Sequence, residues 1–521
     1  MTDGITEKTP EQLRLELSEA LACIRRLELS NALLSEENRL LKIKKYGASA
    51  ERLSDAQLAL LELEPSVCAA EVQAEAAVAE DAKVLESQSP RKKPVRGPLP
   101  ADLPREERIV RCPEDQCHCG QCGGLKKLIG YETSERLSRK PIQYFVEVTK
   151  REKLACGKCE EMGVSVAPVP ATIIEKGILC DALVVDVVIK KYCEHLPFYR
   201  QSASIKRDAN VEVSQSTLGG STLSVGELLK PISELLREDL LAGDYIQADE
   251  TTVPVQSNRA KGKNHQAYFW EYGRPEGPVV YEFRMGRERE GPKNWLGDYN
   301  GKLQCDGYGA YDQIGGAGIT LFGCMAHARR KFFDASKLDP KDAVSVAIIA
   351  RIGKLYDVER ESREGNLNAG EREALRGEKS VPLLTQIRSM IVEARAGALP
   401  KSALGKACTY AINQWERLVG YAEKGNGQVE IDNNWAENSM RGIALGRKNW
   451  IHVGSEQAGP KIAAILSVLE TCKRMKINAR EYLEDVLPKI AFMSTRPNAR
   501  THSLSDLTPM AWQRDRTGTP K

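Results

Sequence analysis

Near the start of the chain, apolar residues recur at alternating spacings of four and three, which predicts a helix with a narrow apolar seam. The seam consists of Leu13, Leu17, Ala20, Ile24, Leu27, Asn31, Leu34, Asn38 and Leu41. Such a heptad pattern favours a coiled coil, and a buried Asn fixes its register and favours two strands. Residues 8–64 are therefore predicted to be a coiled-coil or helical region that self-associates. A single amphipathic helix packed on its own domain is the alternative.

The pattern is lost in the following segment, residues 65–105. Its first half is rich in Ala and Glu without aromatic residues, and its second half is rich in Pro and Arg. This composition predicts a linker that is partly helical and then extended. The basic Pro-rich half is compatible with lying along DNA, although a solvated linker is the commoner state of such a segment.

Beyond residue 169 the pattern predicts helices, then strands, then helices again. An apolar run over Ile178–Ile189 opens a helical region at 169–240, and a short helix, a turn and a second helix beginning near Ser214 are expected within it. This arrangement suits a helix-turn-helix, but the same spacing is common in helical bundles. From Tyr245 onwards alternating positions predict strands in DYIQADETTVPVQ, HQAYFWEYG, PVVYEFRM, KLQCDGYGAYD and GITLFGCMAH.

The order of these elements predicts a strand-rich core that is interrupted by helices. Its first part is expected at 241–338, a helical insertion at 339–428 and its second part at 429–480. Residues 481–521 form a C-terminal element. The fold class is thus multidomain and mixed, with a coiled coil, a small zinc-binding domain, a helical DNA-binding region and an α/β core.

Composition narrows the class of protein. The chain has 521 residues, of which 41% are hydrophobic, so it forms sizeable cores and suits about three domains. Its formal charge is only +3, which excludes a uniformly basic protein but not local basic faces. We expect a cytoplasmic protein without a membrane partner, because no long apolar run or signal-peptide pattern is present.

Two pairs of cysteines carry the clearest metal signal. Cys119 and Cys122 form one CxxC pair, and Cys156 and Cys159 form another. Two such pairs supply four thiolates to one tetrahedral zinc ion, and a closed site of this kind stabilises a fold without doing chemistry. Residues 106–168 are therefore predicted to bind a structural Zn²⁺ within a DNA-binding module. A neighbouring Cys or His can replace one ligand, the candidates being Cys112, Cys117 and His118.

Three carboxylates form the candidate catalytic set. Asp249 follows the strand pattern of Tyr245–Ala248, Asp306 follows KLQC, and Glu437 lies on a predicted helix. Adjacent strand residues face opposite sides, so only one of Asp249 and its neighbour Glu250 can face a given site. Carboxylates from two strand ends and one helix suit two Mg²⁺ or Mn²⁺ ions for in-line phosphoryl transfer. Spacing alone leaves rivals, namely Asp298, Asp312 and Glu430.

Basic residues surround these candidates. Residues 441–480 contain many basic residues and only two acidic ones, and HARRK at 327–331 adds a second cluster. Such tracts suit a polyanionic backbone, although each is also typical of an exposed helix face. The overall +3 charge therefore averages an acidic linker with basic tracts.

A further pair of possible ligands is Cys324 and His327. Two residues separate them, as in a metal site, but no second pair lies at a fixed spacing. We therefore expect Cys324 to pack in the core and His327 to face DNA or to be structural.

Long stretches of the chain, taken in order, are similar to one known family. LPADLPRE, CGQCGGLKKLIGYETSERL and the second CxxC resemble its zinc-binding segment, and KYCEHLPFYRQ and VSQSTL resemble its helical DNA-binding part. QADETTVPVQ, LQCDGYGAYD, CMAHARRKFFD and IDNNWAENSMRGIALGRKNWIHVGS resemble its catalytic core, and LEDVLPKI and LTPMAW its C-terminal element. The family is that of the insertion sequence 66 transposases of bacterial mobile elements.

The resemblance implies a ribonuclease-H-like core of the DDE type, with the triad at Asp249, Asp306 and Glu437. It implies a Mg²⁺-dependent transposase that cleaves DNA at element ends and transfers the strand to target DNA. Companion proteins from the same element are also implied, and the coiled coil adds a homodimer or higher homo-oligomer. DNA-phosphate contacts are expected from Arg329, Arg330, Lys331, Arg441, Arg447 and Lys448.

Two other functions remain open at this stage. One is a DNA-binding regulator with a degenerate core, which the three intact carboxylates argue against. The other is a structure-specific nuclease of the same fold, which cuts but never joins ends.

Overall fold

The computed structural model describes residues 144–155, 164–167, 170–256, 264–307, 309–311, 318–339, 342–495 and 503–517. The predicted coiled coil, the linker and the zinc-ligand candidates Cys119, Cys122, Cys156 and Cys159 lie outside these residues. In the predicted zinc-binding region, β1 (Lys153–Ala155) and β2 (Val164–Val166) form a two-stranded antiparallel sheet.

Three helices come next, namely α1 (Asp181–Tyr192), α2 (Phe198–Ala209) and α3 (Gln215–Ala242). Ser214 is the N-cap of α3, and its hydroxyl accepts a hydrogen bond from the Thr217 N–H at 3.0 Å. This bond satisfies one of the amides that a helix leaves unpaired at its start. The second helix therefore begins where the sequence pattern placed it.

Helix α3 packs its apolar face inside the protein. Its largest buried side chains are Leu218, Val225, Leu229, Ile232, Leu236 and Leu240. This face lies against α12 (Ala458–Arg474), and a Cβ at Gly226 would come within 2.5 Å of the Lys461 carbonyl oxygen. The glycine permits this close approach, so the helical region and the sheet share one hydrophobic core.

The central sheet has five strands in the order β5-β4-β3-β6-β7. They are β3 (Tyr245–Val255), β4 (His265–Gly273), β5 (Val279–Arg284), β6 (Lys302–Gln304) and β7 (Thr320–Phe322). The three longer strands pair antiparallel, whereas β6 and β7 run parallel to β3. The short helix α4 (Glu290–Leu296) lies in the crossover from β5 to β6. All five strands fall in segments whose alternation predicted them.

Asp249 was expected at a strand end, after the apolar stretch Tyr245–Ala248, and this expectation is wrong. Strand β3 continues to Val255, within the predicted segment DYIQADETTVPVQ, because it pairs with β4 along this whole length. Its parallel pairing with β6 covers only Tyr245–Gln247. Asp249 therefore lies within β3 and not at its end, and it occupies the point where the neighbouring strand β6 has stopped.

The chain then forms a helical layer with its own hydrophobic core. After α5 (Met325–Leu338), the segment expected to be helical contains α6 (Ala343–Glu364), α7 (Ala369–Leu375), α8 (Val381–Gly397), α9 (Ala403–Asn413) and α10 (Trp415–Val419). One π-helical turn, Arg376–Ser380, joins α7 to α8. Phe332, Ile348 and Ile387 are among the buried residues of this second core.

The last helices return to the sheet. They are α11 (Asn434–Trp450), α12, α13 (Ala479–Thr495) and α14 (Pro509–Thr517). Helix α11 lies against β3, α12 against β5, and α13 against α1. In the described part of the chain, no helix is both long and apolar enough to cross a membrane.

Candidate active site

Three carboxylates from separate elements meet beside β3. Gln247 of β3 is in register with Gln304 of β6, so Asp249 and Asp306 each come two residues later along neighbouring parallel strands. Parallel strands end at the same edge of a sheet, and this geometry brings the two aspartates together. Glu437 lies in the first turn of α11, which packs on β3.

The pKa of Asp249 reflects its burial and the acidic groups around it. Burial raises its pKa well above the ordinary value, and the charges of Glu437, Glu250 and Asp306 raise it further. A hydrogen bond from the Glu250 N–H, 2.9 Å from Asp249 Oδ1, acts in the opposite direction. Several carboxylates around one buried aspartate repel each other, and a divalent cation relieves that repulsion. The oxygen donors of Asp249, Asp306 and Glu437 therefore fit a hard cation such as Mg²⁺.

Glu250 has different partners from its neighbour Asp249. The Arg287 guanidinium donates to Glu250 Oε1, with Nε at 3.0 Å, and the Tyr311 hydroxyl donates to Oε2 at 3.3 Å. The Glu250 side chain is only 3% exposed. Of the two adjacent acidic residues, Glu250 thus forms an ion pair, whereas the carboxylate of Asp249 lacks such a basic partner among the described contacts.

The start of α11 is held by side chains from the sheet. The Gln247 amide donates to the Asp432 carbonyl oxygen at 2.9 Å, and the Gln247 side-chain oxygen accepts from the Ala436 N–H at 3.3 Å. Gln304 donates to the Glu430 carbonyl oxygen at 2.8 Å. These bonds connect both strands to the segment that leads into Glu437. Neither glutamine was predicted from the sequence to have this role, although a Gln inside a strand that is otherwise apolar was an available signal.

Three polar residues, Asp432, Asn433 and Asn434, lie where α11 begins and are of the types that cap helices. Asn433 occupies the N-cap position but makes no side-chain capping bond. Instead, Asp432 Oδ1 accepts from the Asn434 N–H at 3.1 Å, and its other oxygen accepts from the Tyr356 hydroxyl at 2.9 Å. Burial raises the pKa of Asp432 to about 7, although the Tyr356 hydrogen bond acts against that rise.

The rival carboxylates lie in other settings. Glu430 forms an ion pair with Arg372, whose Nη2 is 2.7 Å from Glu430 Oε2. Asp298 is exposed between α4 and β6, and Asp312 lies outside the described residues.

The basic residues of α5 differ in exposure. Arg330 and Lys331 are exposed, and the Lys331 ammonium lies 4.4 Å from the centre of the Tyr410 ring, which is a cation–π distance. Arg329 is only 6% exposed, so it lies in the interior and not on the helix surface, where its basic cluster predicted a DNA contact.

The basic residues of α11 also divide into two kinds. Arg441 is half-buried and close to both Glu437 and Arg330: burial lowers its pKa, Glu437 raises it and Arg330 lowers it. Arg447 donates from Nη1 to the hydroxyls of Thr251 at 3.1 Å and Thr252 at 3.0 Å, which ties α11 to β3. Lys448 is exposed.

Cys324 and His327 lie beside Glu437. Cys324 is fully buried, as expected for a packing role. His327 Nδ1 is 3.4 Å from Glu437 Oε1, so the histidine is a direct neighbour of the candidate catalytic glutamate. This contact joins residues distant in sequence, and no local pattern signals it.

Comparison with known families gives three matches along the chain. The model described as "Transposase IS66 family" matches residues 176–461. The model described as "zinc-finger binding domain of transposase IS66" matches residues 116–160, which include all four CxxC cysteines and support a structural zinc there. A third, described as "Transposase C of IS166 homeodomain", matches residues 33–108.

Similar proteins occur in Sinorhizobium fredii (strain NBRC 101917 / NGR234). The uncharacterized protein y4hP is 32% identical over 492 residues, which is 89% of this chain and 85% of that protein. The uncharacterized protein y4qI is 34% identical over 421 residues, covering 77% of this chain and 76% of its own length. The names of these relatives state no activity. The matching family models are described as transposases, and a transposase binds DNA. The chain belongs to the IS66 family of transposases.

Proposed function

We propose that the protein is a Mg²⁺-dependent DDE-type DNA transposase of a bacterial insertion sequence. It cleaves DNA at the element ends and transfers the freed strand to target DNA. The observation that carries this proposal is the meeting of Asp249, Asp306 and Glu437 from β3, the β6 end and α11. Each residue comes from a segment that resembles the family's catalytic core.

The architecture supports a ribonuclease-H-like core. Three antiparallel strands are followed, through a crossover, by two strands parallel to the first, and the first strand lies in the centre. This is the strand arrangement of that fold class. Helix α11, which carries Glu437, lies against the central strand β3.

In this proposal, Asp249, Asp306 and Glu437 are the residues that would hold two divalent cations. Bound there, such ions would supply Lewis-acid activation of the attacking oxygen and charge stabilisation of the leaving 3′-oxygen. Gln247 and Gln304 keep the start of α11 fixed to the sheet, so that Glu437 stays beside the aspartates. The Arg441 guanidinium lies near Glu437, and Arg330 lies near Arg441, so both can provide positive charge for a phosphate.

The remaining parts of the chain bind and pair the element ends. The zinc-binding segment and the α1–α3 region contact the terminal repeats, and the coiled coil at residues 8–64 joins two or more copies. The heptad seam supports this association. We also propose that the protein acts with companion proteins from the same element, which only the family resemblance implies.

The test uses purified full-length protein with labelled element ends and Mg²⁺. Asp249→Asn, Asp306→Asn and Glu437→Gln are each expected to abolish cleavage and strand transfer while binding of the ends survives. Glu250→Gln is the matched control, because this acidic neighbour is held by Arg287 and Tyr311. It should retain most of the activity.

The outcomes separate the proposal from its two rivals. Binding of the ends without Mg²⁺-dependent cleavage by the wild-type protein would contradict it and indicate a regulator. Cutting of hairpins or flaps without any joining would indicate a nuclease. Retained transfer in one triad variant would remove that residue from the catalytic set.

A further inference from the structure

Cys324, His327 and Glu437 form a cluster of three different metal-ligand types. Cys324 directly precedes α5, His327 lies in the first turn of that helix, and Glu437 lies in the first turn of α11. The Cys324 sulfur, a His327 ring nitrogen and a Glu437 carboxylate oxygen all lie within 4.8 Å of one another. The sequence offers no second pair of metal ligands near Cys324 and His327. The fold instead brings Glu437 from a distant segment next to them.

Two atoms of the cluster are buried without a hydrogen-bond partner. They are His327 Nδ1 and Glu437 Oε1, which are 3.4 Å apart. Buried polar side-chain atoms in folded proteins usually have a partner. A cation bound to both atoms would satisfy both, and the buried thiol of Cys324 lies within reach as a third ligand.

The spacing suits a tetrahedral ion of the zinc class. Bonds of about 2.0–2.2 Å from Zn²⁺ to nitrogen and oxygen place two tetrahedral ligands about 3.4 Å apart. His327 Nδ1 and Glu437 Oε1 already lie at that separation. A longer bond of about 2.3 Å to sulfur requires the thiol to approach to about 3.6 Å from the other two donors. The mixed sulfur, nitrogen and oxygen set favours Zn²⁺ over Mg²⁺, which prefers oxygen alone.

We propose that Cys324, His327 and Glu437 bind a Zn²⁺-class cation, distinct from the zinc ion of the CxxC segment. Three protein ligands leave the fourth tetrahedral position to water. The site shares Glu437 with the proposed catalytic triad, so zinc held here competes with the use of Glu437 beside Asp249 and Asp306. This competition rests on the proposed function, whereas zinc binding itself does not.

The binding test measures metal content in full-length protein, so that the CxxC segment contributes equally to every sample. Wild-type protein is dialysed against Zn²⁺ and its zinc per chain is determined by elemental analysis. Cys324→Ser, His327→Gln and Glu437→Gln are each expected to hold one equivalent less than wild type. Cys408→Ser, which removes another buried free thiol, is the control and should hold the wild-type amount.

Cobalt provides a second readout that does not depend on activity. Titration with Co²⁺ should give a thiolate-to-cobalt absorption in wild type that the His327→Gln variant lacks in part, and a thermal melt without metal verifies that each variant is folded. Equal zinc content in wild type and all three folded variants would overturn the site. Loss in Cys324→Ser alone, with Glu437→Gln unchanged, would also overturn it, because the proposal requires the carboxylate.

The competition has its own assay. Zinc added to Mg²⁺-dependent cleavage should inhibit wild type and inhibit the His327→Gln variant less. If wild type shows no cleavage with Mg²⁺ alone, the proposed function fails while the zinc count still decides the site. Equal inhibition of both proteins would overturn the competition.

Discussion

Gln247 and Gln304 stand opposite each other in the parallel register of β3 and β6, and their side chains hydrogen bond across it, with Gln247 Nε2 2.9 Å from Gln304 Oε1. Both side chains are fully buried. The Tyr245 hydroxyl also bonds to both glutamines, and it accepts from the Glu430 N–H at 3.1 Å. This buried polar cluster fixes the segment before α11 on the two strands that precede the aspartates.

Replacing Gln247 by Leu should therefore loosen the start of α11. The substitution leaves the Asp432 carbonyl oxygen and the Ala436 N–H without their side-chain partner, at a cost of about 3 kcal/mol in the free energy of unfolding. Urea denaturation measures this cost. Gln266→Leu is the control on the neighbouring strand, because Gln266 is exposed. A change within about 0.5 kcal/mol is expected there. Equal effects in the two variants would contradict a special role for Gln247.

The triad itself should cost stability when no metal is bound. Asp249 is surrounded by Glu437, Glu250 and Asp306, and all of these charges act against its ionised form. Asp249→Asn removes one of the repelling charges, so we expect the metal-free variant to be more stable than wild type by on the order of 1 kcal/mol. Thermal melts in EDTA measure this difference. Addition of Mg²⁺ should stabilise wild type more than the variant, and a less stable variant in EDTA would contradict the prediction.

A buried ion pair in the helical layer should contribute far more to the free energy of unfolding than an exposed one on the same helix. Glu359 of α6 bonds to the Arg376 guanidinium at 2.8 Å, and both side chains are buried. Glu359→Gln leaves that buried cation without its charge partner, and unfolding should become easier by about 3–5 kcal/mol. Glu361→Gln breaks the exposed pair with Lys379 and should cost about 0–1 kcal/mol. Similar values from denaturation of the two variants would refute this contrast.

The same glutamate should contribute to acid sensitivity. Burial acts to raise the pKa of Glu359, but Arg376 and Arg372 outweigh it and hold this pKa below its ordinary value of 4.5. A carboxyl whose pKa is lower in the folded state stabilises the fold above about pH 4.5, and that contribution is lost as the pH falls further. Melting temperature between pH 6 and pH 3 should thus fall less steeply in Glu359→Gln than in wild type. A parallel decline would contradict this assignment.

The two neighbouring basic residues at the end of α11 should behave differently. Lys448 is exposed, so Lys448→Ala should weaken DNA binding without loss of stability and reduce the salt dependence of binding by about one unit of slope. Arg447 bonds to Thr251 and Thr252 of β3. Arg447→Ala should therefore lower stability by about 1–3 kcal/mol, since half-buried acceptors lose a charged donor. DNA binding at several salt concentrations and denaturation of both variants distinguish the two roles. A loss of stability in Lys448→Ala, with unchanged stability in Arg447→Ala, would contradict them.

The local pattern of apolar and polar residues was sufficient to locate the strands and a helix start. Alternation located all five strands of the central sheet, and the capping residue Ser214 located the start of α3. The pattern failed for the position of Asp249, which was expected after a strand end at Ala248 although the strand continues to Val255. Polar residues such as Asp249 and Glu250 interrupt the alternation there, and the pairing with β4 decides the strand length.

The sequence alone determined the class of the protein, because long ordered motifs and two CxxC pairs specify a family and a zinc-binding segment without any knowledge of contacts. It also named Asp249, Asp306 and Glu437 through that resemblance. Only the tertiary structure decided which atoms meet. A periodic pattern reports which face of a helix or strand is buried but not what covers it. Polar side chains acquire their roles from distant partners, as His327 does from Glu437 and Arg447 from Thr251.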